Sequence, residues 1–238
     1  MKKYRKRRNG KMQYEIGISR YGDNKKNVCG SACIIFNENM KVENIRILRS
    51  REEELYVAMP HYKDKEGNYQ DYCFPITKEF REELYGNILK AYEYTGQSKN
   101  RWYQFNVDDK SAVNYEAKAY LVEDPQSMTK GIGSVVMDGC FVFSGITLRK
   151  YNGPETDPDT GEKKELYVAF PAYPSGQFTK DNKQIYKNHF YPVDSMTRRL
   201  VTDLMMKAYQ EAVKGRDHPE QKKTPEKNQP EKKEGKIR

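Results

Sequence analysis

Residues 54–60 read ELYVAMP, and residues 165–171 read ELYVAFP. The two stretches differ at one position only, although they begin 111 positions apart in a chain of 238 residues. Repeat units of solenoid proteins are about 20–50 residues long, whereas a separation near 100 residues is the size of a small domain. The repeated heptapeptide therefore predicts a chain built from two copies of one folding unit.

The similarity between the copies extends to both sides of the heptapeptide at constant offsets. Before it, the apolar run at residues 33–36 matches residues 134–137, which lie 101 positions later. After it, the tripeptide KAY at residues 90–92 recurs at 207–209, which is 117 positions later. The second copy thus carries 10 extra residues before its heptapeptide and 6 more after it. Surface loops tolerate such insertions, so we expect loops at both places.

Hydrophobic periodicity predicts the elements inside each copy. Runs in which every second residue is apolar indicate strands in the first copy, the last of them at residues 69–74 after a hairpin loop at 63–68. A helix follows, with Thr77 as a suitable N-cap, and Asp194 holds the same place in the second copy. Four apolar side chains recur every four residues along the first helix and predict its buried face: Phe80, Leu84, Ile88 and Tyr92.

The predicted fold class is α+β, with two tandem lobes that each consist of a small, mostly antiparallel β-sheet and a C-terminal α-helix. Two like domains in one chain commonly replace the two subunits of a homodimer, so we expect the lobes to pack as a pseudo-dimer. The predicted boundaries are a basic disordered arm at 1–11, lobe 1 at 12–95, a linker at 96–114, lobe 2 at 115–213 and a disordered charged tail at 214–238.

The net charge of +9 is concentrated at the two ends of the chain. Residues 1–11 carry +7 and residues 215–238 carry +3, which leaves −1 for everything between them. Adjacent lysines and arginines release counterions from a polyanion, so the basic arm is a candidate for tracking phosphates. A solubilising terminus is the alternative interpretation of the arm.

Composition and motifs disfavour several classes of protein. No apolar run approaches the roughly 18 residues of a membrane span, and the N-terminus lacks an apolar signal core, so we expect a soluble cytoplasmic protein. Four cysteines without Cys-x-x-Cys spacing are expected to be small buried thiols, with no metal and no cofactor. The histidines occur in unrelated contexts, and no carboxylate pair, phosphate loop or nucleophile elbow is present. We therefore expect a protein that is not an enzyme.

The order of motifs in the first copy resembles the SpoVG family of septation and sporulation regulators. The stretch VENIRIL at 42–48 is followed by LYVAMP at 55–60, a hairpin centred on Gly67, and a helix with an early Arg81. The resemblance covers most of residues 12–95, and a looser one covers 115–213. It implies short antiparallel domains that dimerise and act as site-preferring DNA-binding, in some cases RNA-binding, regulators of transcription.

The resemblance also implies where nucleic acid is bound. Arg81 and Arg198 match the arginine of the family's helix, Lys63 matches a basic hairpin position, and Arg46 matches a basic position of the third strand. Lys78 and Arg199 add charge to the two helix starts. The full set of candidate nucleic-acid-binding residues is Arg81, Lys78, Arg198, Arg199, Lys63, Arg46, Lys2, Lys3, Arg5, Lys6, Arg7 and Arg8.

The two copies differ at these positions, so we expect asymmetric binding. The basic residue that the family pattern places two positions after the helix arginine is Glu83 in the first copy and Leu200 in the second. The third-strand arginine is replaced by Thr147 in the second copy. Lobe 2 thus has the better basic cluster at its helix start, and lobe 1 has the better basic positions on the third strand and the hairpin.

Two functions follow from the sequence. The first is a regulator that binds DNA or RNA as an intramolecular pseudo-dimer, with further oligomerisation left open. The alternative is a non-catalytic interaction module that binds or blocks a protein partner, which the near-neutral core and the tyrosine-rich hairpins would suit.

Overall fold

The computed structural model describes residues 12–22, 27–107, 112–153, 156, 161 and 165–217. The predicted arm at 1–11 and the part of the predicted tail beyond residue 217 lie outside these ranges. Below, the first half means residues 12–107 and the second half means residues 112–217.

Short strands dominate both halves, and each half contains one long helix. The first half contains β1 (Tyr14–Arg20), β2 (Val28–Phe36), β3 (Met40–Arg49), β4 (Leu55–Ala58), β5 (His61–Lys63), β6 (Tyr69–Asp71), β7 (Cys73–Pro75), α1 (Lys78–Gln97) and β8 (Trp102–Phe105). The second half contains β9 (Tyr115–Leu121), β10 (Thr129–Met137), β11 (Phe141–Lys150), β12 (Leu166–Ala169), β13 (Ala172–Phe178), β14 (Gln184–Asn188), β15 (Phe190–Pro192) and α2 (Ser195–Asp217).

The strands form two main sheets and two small hairpins. The first sheet has the order β15-β3-β2-β1-β8, with β4 also paired to β3, and the second has the order β12-β11-β10-β9, with β7 paired to β11. The hairpins are β5–β6 and β13–β14. Every strand pairing within the described ranges is antiparallel. The predicted α+β class with mostly antiparallel sheets is confirmed.

The short strand just before each helix pairs with the sheet of the other half. In β7, Cys73 lies opposite Phe143 of β11. In β15, Phe190 lies opposite Val42 of β3. The prediction of one continuous strand at 69–74 is therefore wrong, because the chain leaves the β5–β6 hairpin at Tyr72 and continues into the second sheet. Alternation of apolar residues marks a strand but does not say which sheet it joins.

The two helices begin and pack as the sequence predicts. Thr77 caps α1 and Asp194 caps α2, each by accepting a hydrogen bond from a backbone N–H of the first turn. All four apolar side chains of the predicted α1 face are buried. The α2 helix extends to Asp217, beyond the predicted boundary after residue 213.

The hydrophobic core is continuous between the halves. The rings of Phe36 and Phe141 have centroids 4.8 Å apart, and those of Phe143 and Phe190 lie 5.1 Å apart. Phe190 lies in the exchanged strand β15, Phe36 is the last residue of β2, and Phe141 and Phe143 begin β11. Separating the halves would therefore expose aromatic surface that is fully buried.

Three further observations bear on the sequence predictions. Residues 102–105, within the predicted linker, form β8 and pair with β1 at the edge of the first sheet. Cys73 is buried, whereas the other three cysteines are only half-buried. Among the described residues, no helix is long and apolar enough to cross a membrane, and no cluster of three metal-ligating side chains occurs.

Candidate nucleic-acid interface

The start of α1 presents two exposed cations. The Thr77 hydroxyl accepts a hydrogen bond from the Phe80 N–H at 3.3 Å, which caps the helix without adding charge. Lys78 lies 3.8 Å from Glu82, one turn further along, in an exposed ion pair. Arg81 donates from Nη2 to the Pro75 carbonyl at 3.2 Å. Exposed ion pairs of this kind contribute little stability, so Lys78 can exchange its partner for a phosphate at small cost.

The start of α2 is built differently. The Asp194 carboxylate accepts hydrogen bonds from the Thr197 N–H at 2.8 Å and from the Thr197 hydroxyl at 2.7 Å. These bonds lower the pKa of Asp194, so its negative charge is retained at the helix N-terminus. Arg198 and Arg199 are exposed, and the Arg198 guanidinium lies 5.7 Å from the centroid of the Phe170 ring. An anion here would be bound by the arginine side chains, because Asp194 already occupies the helix end.

Both helix starts are fixed by the hairpin turn of the opposite half. The N–H of Ile76, just before α1, donates to the Cys140 carbonyl at 2.8 Å. The N–H of Val193, just before α2, donates to the Asn39 carbonyl at 2.8 Å. The positions of Arg81 and Arg198 are therefore set by the contact between the two halves.

Arg46 and Lys63 lie on the exposed side of the first half. Arg46 is exposed on β3, where it pairs with Ala58 of β4. Lys63 lies with Nζ 5.0 Å from the centroid of the Tyr69 ring, its partner across the β5–β6 hairpin. The four candidate residues of the first half thus lie on three elements: Lys78 and Arg81 at the start of α1, Arg46 on β3 and Lys63 on β5.

Electrostatics shows which of these groups are neighbours. Desolvation raises the pKa of Asp71, and the positive charges of His61 and Arg81 act against that rise. Burial lowers the pKa of His189 to about 4, and the charges of His61 and Arg46 lower it further. His61 and Arg81 thus lie within electrostatic range of Asp71, and His61 and Arg46 lie within range of His189. Arg198 and Arg199 belong to the other helix.

The sequence did not reveal the role of His189. Its ring stacks on Tyr72 with centroids 4.6 Å apart and an interplanar angle of 26°, and the centroid of the Tyr173 ring lies 4.7 Å from it. The side chain is buried, and Nδ1 finds no hydrogen-bond partner in the described part of the chain. Tyr72 and His189 are 117 positions apart, which is the offset between the two copies after the heptapeptide. That offset was the one signal in the sequence that could have related the two residues.

The predicted basic arm at 1–11 is not part of the described ranges. Its candidate residues lie outside the described ranges: Lys2, Lys3, Arg5, Lys6, Arg7 and Arg8. They remain predictions from the sequence.

The first half of the chain is similar to proteins of a known family. The SpoVG family model matches residues 12–94, the range that contains Arg46, Lys63, Lys78 and Arg81. A SpoVG protein of Treponema denticola is 34% identical over 64 residues, which is 27% of this chain and 68% of that protein. One of Archaeoglobus fulgidus is 31% identical over 62 residues, 26% of this chain and 72% of the relative.

A further relative gives the same picture. The SpoVG protein of Acholeplasma laidlawii is 35% identical over 66 residues, 28% of this chain and 69% of the relative. All three relatives are named as septation proteins.

Proposed function

This chain belongs to the SpoVG family, and from that membership we propose that it is a nucleic-acid-binding regulatory protein that works as an intramolecular pseudo-dimer. DNA and RNA share the phosphate chemistry on which the proposal rests. The named function of the relatives, septation, is the process in which such a regulator would act.

Reciprocal contacts support the pseudo-dimer. Tyr72 donates its N–H to the Pro60 carbonyl, and its own carbonyl accepts from the Ser144 N–H. The same pair of bonds occurs with His189 in place of Tyr72, to the residues that the sequence offsets assign: His189 N–H to Pro171, and Glu43 N–H to His189. A twofold axis generates such i–j and j–i pairs, as between subunits of a homodimer. On this proposal, residues 115–213 are a second copy of the SpoVG unit, although the family model matches the first half alone.

The observation that carries the binding proposal is the equivalent, anchored placement of Arg81 and Arg198. Each is exposed in the first turn of its helix, 117 positions from the other, and each follows a strand exchanged into the opposite sheet. Arginine offers a planar set of donors that suits phosphate oxygens. The contacts between the two halves fix the spacing of the two helix starts, and a phosphate backbone could match that spacing.

The two helix starts should contribute unequally. The first turns of α1 carry Glu79, Glu82 and Glu83 beside Lys78 and Arg81. The α2 start has Arg198 and Arg199 together, with Asp194 committed to the cap. We expect the α2 arginines to supply the larger share of phosphate contacts.

Salt dependence of binding tests the proposal. Binding to labelled duplex and single-stranded probes is measured by fluorescence anisotropy at several salt concentrations. Each neutralised duplex phosphate contributes a slope of about −0.9 in log K against log salt, so Arg198→Ala with Arg199→Ala should weaken binding and reduce the slope by about 1 to 2. Lys207→Ala with Lys214→Ala removes the same charge from exposed positions further along α2 and should change the slope little.

Two results would contradict the proposal in different ways. If deletion of residues 1–11 alone abolishes the slope and the arginine variants bind as the wild type does, the folded halves take no part. If no probe binds and a protein co-purifies with the chain, the interaction module is the better description.

A further inference from the structure

An open groove of about 690 Å³ lies on the face of the first sheet opposite α1. Along β1 the side chains of Ile16 and Ile18 are buried toward the helix, so Gly17 between them and Ser19 after them face the groove. Ser31 and Cys33 of β2 complete a floor of small side chains. We call this feature the Trp102 groove, because Trp102 forms one wall. Its volume falls within the roughly 300–1,000 Å³ of ligand-binding clefts.

Trp102 is held in place and yet exposed. A Cβ added at Gly17 would lie 2.9 Å from the Trp102 ring and 2.8 Å from Cys33 Sγ, so the indole rests directly on the glycine backbone. Asn100 fixes the main chain of Trp102: its Nδ2 donates to the Trp102 carbonyl at 2.7 Å, and its Oδ1 accepts from the Trp102 N–H at 3.1 Å. With 45% of its surface exposed, the ring is an ordered aromatic platform. Lys118 replaces Gly17 in the second sheet, so this platform belongs to the first half.

The opposite wall comes from the second half. Tyr173 and Lys187 are cross-strand partners in the β13–β14 hairpin, and both line the groove. The Tyr173 ring is held against His189 with centroids 4.7 Å apart. The groove therefore exists only because the hairpin of one half extends over the sheet of the other.

The charge along the walls is positive. Arg101 and Lys187 are exposed on opposite walls. The lining carboxylate, Glu43, is already engaged by Lys41 at 2.8 Å and by the Tyr191 hydroxyl at 3.2 Å. Arg20 also lines the groove, but its guanidinium donates to the Tyr92 carbonyl at 2.7 Å and is therefore held on the α1 side of the sheet. An anionic ligand is thus favoured over a cationic one.

The aromatic surface continues past Trp102. A second depression of about 470 Å³ lies on the outer side of β8, and Trp102 lines both. Tyr94 and Tyr103 line this depression with ring centroids 6.0 Å apart, and Tyr94 is 52% exposed. A chain-like ligand could pass from one depression to the other over the indole.

These observations identify a class of ligand. Proteins that bind single strands combine a positive groove for the backbone with aromatic rings on which bases stack. Bases in a duplex are already stacked on each other, so only unpaired bases can lie on Trp102. We propose that the Trp102 groove binds single-stranded nucleic acid, with a base stacked on Trp102 and phosphates at Arg101 and Lys187. This inference rests on the proposed function and adds to it a site separate from the helix-start arginines.

The chain contains a single tryptophan, so tryptophan fluorescence reports on the surroundings of Trp102 alone. The full chain is titrated with unlabelled oligodeoxythymidine, oligouridine and a fully paired duplex, while Trp102 emission is followed. Both single strands should quench the emission with saturation, and the duplex should not. Comparison of the two single strands shows whether DNA or RNA is preferred.

Charge variants on one hairpin provide a matched pair. Lys187→Glu places a negative charge on the groove wall and should weaken the quenching titration about tenfold. Lys183→Glu makes the same change near the tip of the hairpin, away from the lining residues, and should leave the titration unchanged. Trp102→Ala, followed by anisotropy of a labelled single strand, should lose about 5- to 140-fold in affinity, since stacking accounts for that range per base.

The outcomes separate this inference from the proposed function. Single strands that bind by anisotropy without changing Trp102 emission, and bind Trp102→Ala equally well, would overturn the groove and leave the helix-start site standing. Equal quenching by the duplex would overturn the preference for single strands. Absence of binding by every probe would remove the proposed function itself. An emission change caused only by a co-purifying protein would reassign the groove to a protein partner.

Discussion

Tyr72 and His189 lie face to face where the two halves meet, and their chemistry is unequal. Tyr72 remains neutral over the physiological range, because burial raises the pKa of its hydroxyl. His189 titrates below neutrality, since burial and the nearby charges lower its pKa to about 4. An unperturbed histidine has a pKa near 6.5. The unfolded chain therefore binds a proton in a pH range where the folded chain does not.

This difference predicts a pH-dependent stability. Because the folded pKa is depressed, the stabilisation is complete above about pH 6.5 and is lost as the pH falls toward 4, by about 2 kcal/mol after allowance for solvent screening. His189→Phe retains a ring for the stack with Tyr72 and removes the titration. Thermal unfolding at pH 7 and pH 4.5 should show a smaller loss of Tm for His189→Phe than for the wild type.

His61→Gln is the control for this measurement, because His61 is only half-buried and its ring contacts Tyr69 of its own hairpin. It should keep most of the wild-type pH dependence. Equal losses of Tm in His189→Phe and wild type would show that other groups dominate the acid sensitivity.

At the scale of elements, the exchanged strands β7 and β15 determine the architecture. Each has three residues and ends in proline, which lacks a donor and suits a strand that pairs on one side. Short as they are, they carry fully buried side chains such as Phe190 and Cys73 into the other half. The strands therefore contribute more through burial than through their few hydrogen bonds.

Truncation of Phe190 should destabilise both halves together. Its ring lies 5.1 Å from Phe143 and 5.9 Å from Phe170, and it pairs with Val42 of the first sheet. Phe190→Ala should lower the free energy of unfolding by about 3–5 kcal/mol. In denaturant titrations, the transition followed by Trp102 fluorescence should shift with that followed by far-UV circular dichroism.

Tyr186→Ala is the matched aromatic control. This side chain is 64% exposed on β14, so its loss should change stability by less than about 0.5 kcal/mol. A Phe190→Ala transition that leaves the Trp102 signal at its wild-type midpoint would mean that the halves unfold independently.

On the scale of the whole molecule, each half contributes one short strand to the sheet of the other half. The edge of β3 that receives β15 and the edge of β11 that receives β7 are equivalent under the sequence offsets. An isolated first half would keep β7 without its partner edge and leave the β3 edge open. Two copies of that fragment could satisfy each other, since Cys73–Pro75 of one could pair with Met40–Val42 of the other.

A fragment of residues 1–107 should therefore self-associate. We expect light scattering after size-exclusion chromatography to give the mass of a dimer, with a concentration-dependent Tm. The full chain at the same concentration is the comparison, because its exchanged strands are already paired internally. A fragment that is folded, stable and monomeric would contradict the exchange as the basis of the fold.

Local signals in the sequence were sufficient for the elements. The caps at Thr77 and Asp194 and the stripe on α1 depend on residues a few positions apart, and all were predicted correctly. The cations at the two helix starts could also be located from the sequence, because an N-cap residue shows where the first turn of a helix begins. The Trp102 groove was not: its walls at Trp102 and Lys187 lie far apart in the chain, and the linker that supplies β8 has no periodic pattern.

What the sequence determined by itself was thus the repeat, the class of fold and the helices, since apolar spacing and turn chemistry act over short distances. Only the tertiary structure decided which sheet receives β7 and β15, where β8 pairs, and that His189 stacks on Tyr72. The physical reason is that backbone hydrogen bonds are the same for every strand edge. Partner choice is settled by burial of side chains such as Phe141 and Phe190, which come together only when the whole chain folds.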